Sequence, residues 1–222
     1  MLSSLPYNEN IIQFIGATKL DNYMCLVFEF ASQGDLTSYL IKNSKIIDLM
    51  TCFSILSGIS NGLRILHSHL PAIIHRDLSS RNVFIDENLI VKIGDFGSSA
   101  YFENFLNGYC SFTTPEYIPP EIWIKNSHLS TLSDIYSFGI IITEIAMTHS
   151  QKIYSFPFSY NQFENYNEKI FKISLGISPE LPSNINNLFI PFINECLSKE
   201  AIHRPNADEL YKNFEQIKKN LI

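Results

Sequence analysis

The fold is decided by two stretches near the middle of the chain, His75-Arg76-Asp77-Leu78-Ser79-Ser80-Arg81-Asn82 and Asp95-Phe96-Gly97. The apolar runs between them, Val83-Phe84-Ile85 and Leu89-Ile90-Val91, are separated by polar turn residues and predict β-strands. A tripeptide such as His75-Arg76-Asp77 or Asp95-Phe96-Gly97 is, taken alone, short enough to occur by chance in a chain of average composition. Their order, their spacing and the strand-like runs between them make chance a poor explanation.

The composition predicts one globular domain of 222 residues with a substantial core. Apolar residues make up 45 % of the chain and aromatic residues 13 %, which excludes a disordered polar chain. The formal net charge of -6 argues against a nucleic-acid binder, because such proteins carry a basic surface. The four cysteines lie far apart and form no C-x-x-C pair, so neither a zinc site nor a disulfide framework is predicted.

No targeting or membrane-spanning segment is predicted. Residues 1–6 lack the basic start and the apolar run of a secretory peptide. The longest apolar stretch, Phe138 to Met147, is interrupted by Thr143 and Glu144 and is too short to span a bilayer. We therefore expect a cytoplasmic protein with reduced cysteines and without a membrane segment in this chain.

The hydrophobic pattern predicts a small β-hairpin followed by a mainly helical region. The apolar runs 11–18 and 22–28 flank a polar turn, Lys19-Leu20-Asp21, and this arrangement is typical of a hairpin. From Asp35 onward the pattern is helical. The stripe of one long core helix consists of Cys52, Leu56, Ile59, Leu63, Leu66 and Leu70.

Two helix starts carry capping signals. Thr131 and Asp134 have the spacing of a capping box before a helix that is apolar on every side, so this helix is expected to be buried all round. The last helix is predicted to be capped by Asn206 together with Glu209.

Residues 75–82 resemble the catalytic loop of eukaryotic protein kinases, and Asp95-Phe96-Gly97 resembles their metal-binding triplet. The resemblance implies that Asp77 is the base that orients the substrate hydroxyl and accepts its proton. It implies that Asn82 and Asp95 are ligands of Mg²⁺, which prefers hard oxygen atoms. Arg81 is implied to steady the transferring phosphoryl group of ATP, as the arginine of tyrosine-kinase-type loops does.

The stretch that follows the hairpin resembles the kinase hinge. The resemblance implies that Phe28 is the gatekeeper behind the adenine ring of ATP, and that the backbone of Glu29 and Ala31 binds the adenine edge. Asp35 is implied to take the ribose hydroxyls, and Phe84 to form the floor under the ring.

Matches to the same family continue downstream. Tyr117-Ile118-Pro119-Pro120-Glu121 is similar to the end of the activation segment, and the resemblance implies that Glu121 pairs with Arg204. Asp134 resembles a buried helix anchor that accepts hydrogen bonds from the catalytic-loop backbone. A first-turn carboxylate serving the helix dipole is the alternative role for Asp134, and the two roles are compatible.

The resemblance therefore implies an α+β, protein kinase-like fold. Residues 1–30 would be a partial N-lobe, a remnant β-hairpin that leads to the hinge, and residues 31–222 would be the mainly helical C-lobe. No glycine-rich loop, strand lysine or partner helix glutamate precedes the hinge. The apolar residues of the hairpin, among them Ile12 and Val27, are then expected to lose their covering sheet and become exposed.

Two hypotheses follow for function. The first is a protein kinase that transfers the γ-phosphoryl group of ATP to Ser or Thr, or to Tyr, of protein substrates in signal transduction, with the rest of its N-lobe supplied from elsewhere. The second is a truncated, inactive kinase-like lobe that binds or regulates a protein partner. The intact set Asp77, Asn82 and Asp95 favours the first hypothesis.

The sequence gives partial information on substrate preference and regulation. Thr114-Pro115-Glu116-Tyr117 resembles the serine/threonine pattern, whereas Arg81-Asn82 leans toward the tyrosine type, and the balance favours a serine/threonine-leaning kinase of the tyrosine-kinase-like group. Arg76, directly before the proposed base, could bind a phosphate placed on the activation segment by an upstream kinase. Ser111 and Thr113 are the favoured acceptors, and a structural role for Arg76 is the alternative.

Overall fold

The architecture comes from a computed structural model that describes residues 7–101, 114–123, 129–159 and 163–222. Its strands are β1 Phe14–Leu20, β2 Tyr23–Phe28, β3 Gly34–Asp35, β4 Ile73–Ile74, β5 Val83–Ile85, β6 Val91–Ile93 and β7 Ala100–Tyr101. Its helices are α1 Leu36–Asn43, α2 Leu49–Ser68, α3 Thr131–Gln151, α4 Tyr166–Ser174, α5 Ile190–Cys196 and α6 Ala207–Leu221. Small antiparallel sheets on a mainly helical body are the α+β class predicted from the sequence.

Strands β1 and β2 form the predicted antiparallel hairpin, and Leu20 pairs with Tyr23 at its tip. The turn is therefore Asp21-Asn22, later in the chain than the predicted Lys19-Leu20-Asp21. Asp21 has a φ of 52°, a left-handed conformation that Asp tolerates and that two-residue hairpin turns require.

The hairpin starts later than the sequence pattern predicts, because Ile11 and Ile12 pack elsewhere. Ile11 forms a parallel bridge with Ile93 of β6, and the Ile12 N–H donates to the Ile93 carbonyl at 2.8 Å. Both isoleucines are buried. The edge of β6 offers these residues backbone partners and a covered surface, which an extended hairpin would not.

The apolar surface of the hairpin is exposed on both sides. Tyr23 and Met24, whose side chains point to opposite faces of the sheet, are 76 % and 73 % exposed. Val27 is exposed as the sequence predicts, whereas Ile12 is buried under β6.

Helix α2 runs through the core and packs against α6. The buried part of its predicted stripe is Cys52, Leu56, Ile59, Leu63 and Leu66. The prediction was wrong for Leu70, which is 91 % exposed because α2 ends at Ser68. By length and composition α2 could cross a membrane, but 61 % of its apolar window is buried inside the fold, as in the core helix of a globular domain.

Helix α3 is buried along most of its length, as predicted. Its capping box differs from the prediction, because the cap residue is Ser130 and the Ser130 N–H donates to Ser133 Oγ at 3.0 Å. Thr131 is the first helical residue, and the carboxylate of Asp134 has another use, in the site described below. Helix α6 does have the predicted capping box of Asn206 and Glu209.

Candidate active site

A cleft of about 530 Å³ lies between the hairpin and the helical region. Its lining residues are Ile12, Leu26, Phe28, Glu29, Phe30, Ala31, Gly34, Asn82, Phe84, Asp95, Phe96 and Gly97. The proposed hinge and floor residues Phe28, Glu29, Ala31 and Phe84 thus share one cleft with both proposed metal ligands. An apolar slot with a few polar groups suits a planar ligand that carries a charged tail.

The loop of residues 75–82 is held by the carboxylate of Asp134, which is 1 % exposed. The backbone N–H groups of His75 and Arg76 donate to its two oxygens at 2.9 and 3.0 Å. The Nε2 atom of His67 lies 2.9 Å from the oxygen that His75 uses. Arg76 adopts a φ of 71°, a conformation that costs a non-glycine residue about 1–3 kcal/mol and persists where surrounding contacts impose it. The predicted anchor role of Asp134 is therefore present in the structure.

The catalytic-loop region is also tied to residues 95–97. The buried His75 ring bonds through Nε2 to the Gly94 carbonyl at 2.8 Å and packs on Phe96 with ring centroids 5.1 Å apart. Asp95 follows in a left-handed conformation with a φ of 57°, and its carboxylate accepts the Gly97 N–H at 3.3 Å. The two sequence motifs are thus joined through one histidine.

Asn82 is bonded to Asp77 across the loop. Its Nδ2 donates to the Asp77 carbonyl at 2.7 Å and lies 3.3 Å from Asp77 Oδ2. Because the amide nitrogen of Asn82 binds Asp77, its amide oxygen is the atom suited to a metal ion. That oxygen and the Asp95 carboxylate are hard donors on one wall of the cleft, which is the donor chemistry Mg²⁺ requires.

The proposed hinge is fixed by a lysine that the sequence analysis did not single out. Lys92 of β6 is 7 % exposed, and its Nζ lies 3.0 Å from Glu29 Oε2 and 3.8 Å from Asp86 Oδ2. The other oxygen of Glu29 accepts the Gln13 N–H at 2.7 Å. In the sheet register Lys92 pairs with Phe84, the proposed floor of the cleft. Lys92 therefore connects the strand that carries the floor to Glu29 of the proposed hinge. The sequence did contain a sign of this contact. Lys92 stands between the apolar residues Val91 and Ile93, and a lysine in an apolar strand needs a partner for its charge.

Three of the proposed site residues are not among those that line this cleft. The Asp35 carboxylate caps α1 by accepting the Ser38 N–H at 3.0 Å and the Ser38 hydroxyl at 2.7 Å. Asp77 lines a smaller adjoining cleft together with Thr114. Arg81 lies toward α3, near enough to Glu144 to lower the pKa of that carboxyl.

The end of the predicted activation segment is fixed by two ion pairs. Both guanidinium nitrogens of Arg204 lie 2.7 Å from the two oxygens of Glu121, the bidentate pair that the resemblance implied. The second pair was not predicted: Lys169 of α4 is 1 % exposed and its Nζ lies 2.5 Å from Glu116 Oε1. Ser111 and Thr113, the proposed phosphate acceptors, lie outside the described residues.

The anchored loop, the cleft and the bidentate pair are the arrangement that the resemblance to protein kinases implied. The protein kinase domain family model matches residues 1–214, and the chain belongs to this family. The predicted fold and the predicted enzyme class are thereby confirmed.

Known kinases from several organisms are similar to the chain. The serine/threonine-protein kinase Nek3 of Mus musculus is 32 % identical over 90 % of the chain and 37 % of that protein. The dual specificity protein kinase shkC of Dictyostelium discoideum is 30 % identical over 97 % of the chain and 42 % of that protein. The probable serine/threonine-protein kinase drkA of the same organism is 29 % identical over 94 % of the chain and 31 % of that protein. The chain thus spans less than half the length of these relatives.

Proposed function

We propose that the chain is the catalytic part of a cytoplasmic serine/threonine-leaning kinase of the tyrosine-kinase-like group, acting in signal transduction. It would transfer the γ-phosphoryl group of ATP to hydroxyls of protein substrates. The observation that carries this proposal is the shared cleft, in which hinge residues such as Glu29 and Ala31 face the metal-type donors Asn82 and Asp95. The serine/threonine and dual-specificity relatives support the same preference.

The residues of the loop would divide the chemistry between them. Asp77 would orient the substrate hydroxyl and accept its proton, and the bonds from Asn82 would hold Asp77 in place. Mg²⁺, held by Asn82 and Asp95, would supply positive charge to the phosphate oxygens. Arg81 would add a further cation, and Asp35 would reach the ribose after leaving its bond to Ser38.

Substrate binding would use the segment that begins at Thr114. Glu116, two residues further on, is fixed by the buried ammonium group of Lys169. Arg204 fixes Glu121 at the other end of the segment. A segment held at both ends gives the substrate hydroxyl a defined position beside Asp77, which is how orientation lowers a barrier. Phosphorylation of Ser111 or Thr113 by an upstream kinase would add regulation through Arg76.

The remaining parts of the nucleotide clamp, a glycine-rich loop and a strand lysine paired with a helix glutamate, do not precede the hinge within residues 1–222. We propose that sequence outside this range or a partner N-lobe supplies them. In full-length form, or fused to a kinase N-lobe, the domain is expected to phosphorylate a generic protein substrate with magnesium ATP. Phosphoamino-acid analysis should find mainly phosphoserine and phosphothreonine, and chelation of the metal should stop the reaction. A folded, complete domain without turnover would favour the inactive binding lobe instead.

Residues 1–222 alone are expected to bind magnesium ATP weakly. The cleft offers the adenine a hinge and a floor, but the missing donors are each worth roughly 2.7–4 kcal/mol where they face developing charge, and part of this supports nucleotide binding. A thermal-shift titration measures the effect, and adenosine serves as the matched ligand without phosphates. A rise of several degrees in Tm at sub-millimolar ATP would show that the clamp is already complete.

A further inference from the structure

A buried cluster of hydroxyl groups surrounds the carboxyl group of Glu144 on α3, which is 0 % exposed. The cluster joins α1, the catalytic loop, the Pro115–Tyr117 turn and the segment after α3. Its five contacts are Thr37 Oγ1 to Ser80 Oγ at 2.6 Å, Ser80 Oγ to Tyr117 OH at 3.1 Å, Ser80 Oγ to Glu144 Oε1 at 3.2 Å, Tyr154 OH to Glu144 Oε1 at 2.8 Å and Tyr117 OH to Glu144 Oε2 at 3.1 Å.

Each of these contacts needs one proton, and the four hydroxyl groups supply one each. When Glu144 is protonated on Oε2, it donates to the Tyr117 oxygen. Tyr117 can then donate to Ser80, while Ser80 and Tyr154 donate to Glu144 Oε1. Thr37 donates to the second lone pair of Ser80. Each of these five contacts then contains one proton, so the neutral acid satisfies all five.

An ionised Glu144 leaves the cluster one proton short. Ser80, Tyr117 and Tyr154 would all donate to the carboxylate, and Thr37 would donate to Ser80. The contact between Ser80 and Tyr117 would then join two oxygen atoms with no proton between them. An oxygen pair of this kind, buried away from water, is repulsive. The link between the catalytic loop and the activation segment is therefore the contact that ionisation breaks.

The charged and titratable groups around Glu144 act in opposite directions. Burial in the core disfavours the carboxylate and raises the pKa of Glu144 to about 7, whereas the hydroxyls of Tyr154, Ser80 and Tyr117 and the cation of Arg81 lower it. The pKa of Tyr117 is raised by burial and by Glu144, and the pKa of Tyr154 is raised for the same reasons, so both phenols keep their protons. Thr37, which also faces Tyr154, completes the surroundings.

We propose that Glu144 is a positioning residue that acts as a neutral acid, and that its proton lets Tyr117 bond to Ser80. This inference rests on the proposed function, because Ser80 lies between Asp77 and Asn82 in the catalytic loop and Tyr117 follows the substrate segment at Thr114. Loss of the proton at higher pH loosens the link between these two segments and lowers kcat. Glu144 acts through other residues and touches no substrate.

The test compares the kcat of the full-length kinase with that of its Glu144→Gln variant from pH 6 to 8.5. The amide oxygen of glutamine accepts where Oε1 accepts, and its NH₂ group donates where the acid proton does, at every pH. The ratio of variant to parent kcat is expected to be about 1 at pH 6 and to rise to about fivefold at pH 8.5, the effect of one hydrogen bond. Glu195→Gln, an exposed change on α5, is the matched control and should give a constant ratio.

Tyr117→Phe is the second variant. It removes the contact that demands the extra proton, so its kcat should be lower than that of the parent at pH 6, should approach that of the parent at pH 8.5, and should lack the step near pH 7. A Glu144→Gln ratio that does not change with pH would overturn the proposal. The proposal would also be overturned if the pH-dependent difference between Glu144→Gln and the parent lay entirely in KM for the protein substrate, since positioning of the loop acts on kcat.

A stability measurement on residues 1–222 separates this proposal from the proposed kinase activity. Because burial raises the folded-state pKa of Glu144 from its ordinary value of 4.5 to about 7, the contribution of the neutral acid is complete below pH 4.5 and is lost as the pH rises to 7. The free energy of unfolding of the parent should therefore fall over this range relative to that of Glu144→Gln. A parallel pH course for the two proteins would contradict the neutral acid, whether or not the chain is an active kinase.

Discussion

Replacement of Asp77 by asparagine is expected to lower the kcat of the full-length kinase by at least about a hundredfold, the lower bound for loss of a positioned general base. The side chain keeps its shape, and an amide oxygen can still accept from Asn82, whose stronger bond goes to the Asp77 backbone carbonyl at 2.7 Å. The loop should therefore stay in place while the group that accepts the proton is lost. KM for ATP should change little, because Asp77 is outside the lining of the cleft that we propose binds ATP.

The measurement is steady-state kinetics on the parent and the variant, with Tm as a check of folding. Asp208→Asn, a change at a half-exposed position on α6, is the matched control and should leave kcat unchanged, with a loss in Tm no larger than that of a surface ion pair. A folded Asp77→Asn variant as active as its parent would show that the base is assigned to the wrong residue.

Replacement of Arg204 by alanine is expected to lower the free energy of unfolding of residues 1–222 by about 3–5 kcal/mol, as for the loss of one partner of a buried ion pair. The Arg204 side chain is 0 % exposed, and besides Glu121 it donates to the carbonyls of Ser198 at 2.9 Å and Leu132 at 3.0 Å. Its removal leaves the Glu121 carboxylate and these two carbonyls without their donor. Arg204→Lys should recover only part of the loss, since an ammonium group cannot form the bidentate pair.

Urea unfolding of the variants measures this effect. Lys212→Ala removes one partner of an exposed pair with Asp208 and should cost less than about 1 kcal/mol, as surface pairs do. If Arg204→Ala unfolds with nearly the parental free energy, the pair does not hold the activation segment to the helical region.

Much of the site could be predicted because its parts are local patterns. The motifs that hold Asp77, Asn82 and Asp95 predicted one site, and the structure places Asn82 and Asp95 in one cleft and bonds Asn82 to Asp77. The Asn206 capping box of α6 could be predicted from residues three apart. The C-terminal end of α2 shows the limit of such patterns. The periodic stripe continued to Leu70, but the helix had already ended at Ser68, because periodicity does not mark where the chain turns away from the core.

The sequence by itself determined the order of the motifs, and the resemblance that these motifs carry indicated the family and implied the Glu121–Arg204 pair. Only the tertiary structure placed Lys92 against Glu29, Lys169 against Glu116, and the hydroxyl groups of Ser80, Tyr117 and Tyr154 against Glu144. These contacts join residues far apart in the chain, and no local period or cap relates them. Their strength comes from burial, which removes competing water, and burial is a property of the packed fold that the one-dimensional pattern does not contain.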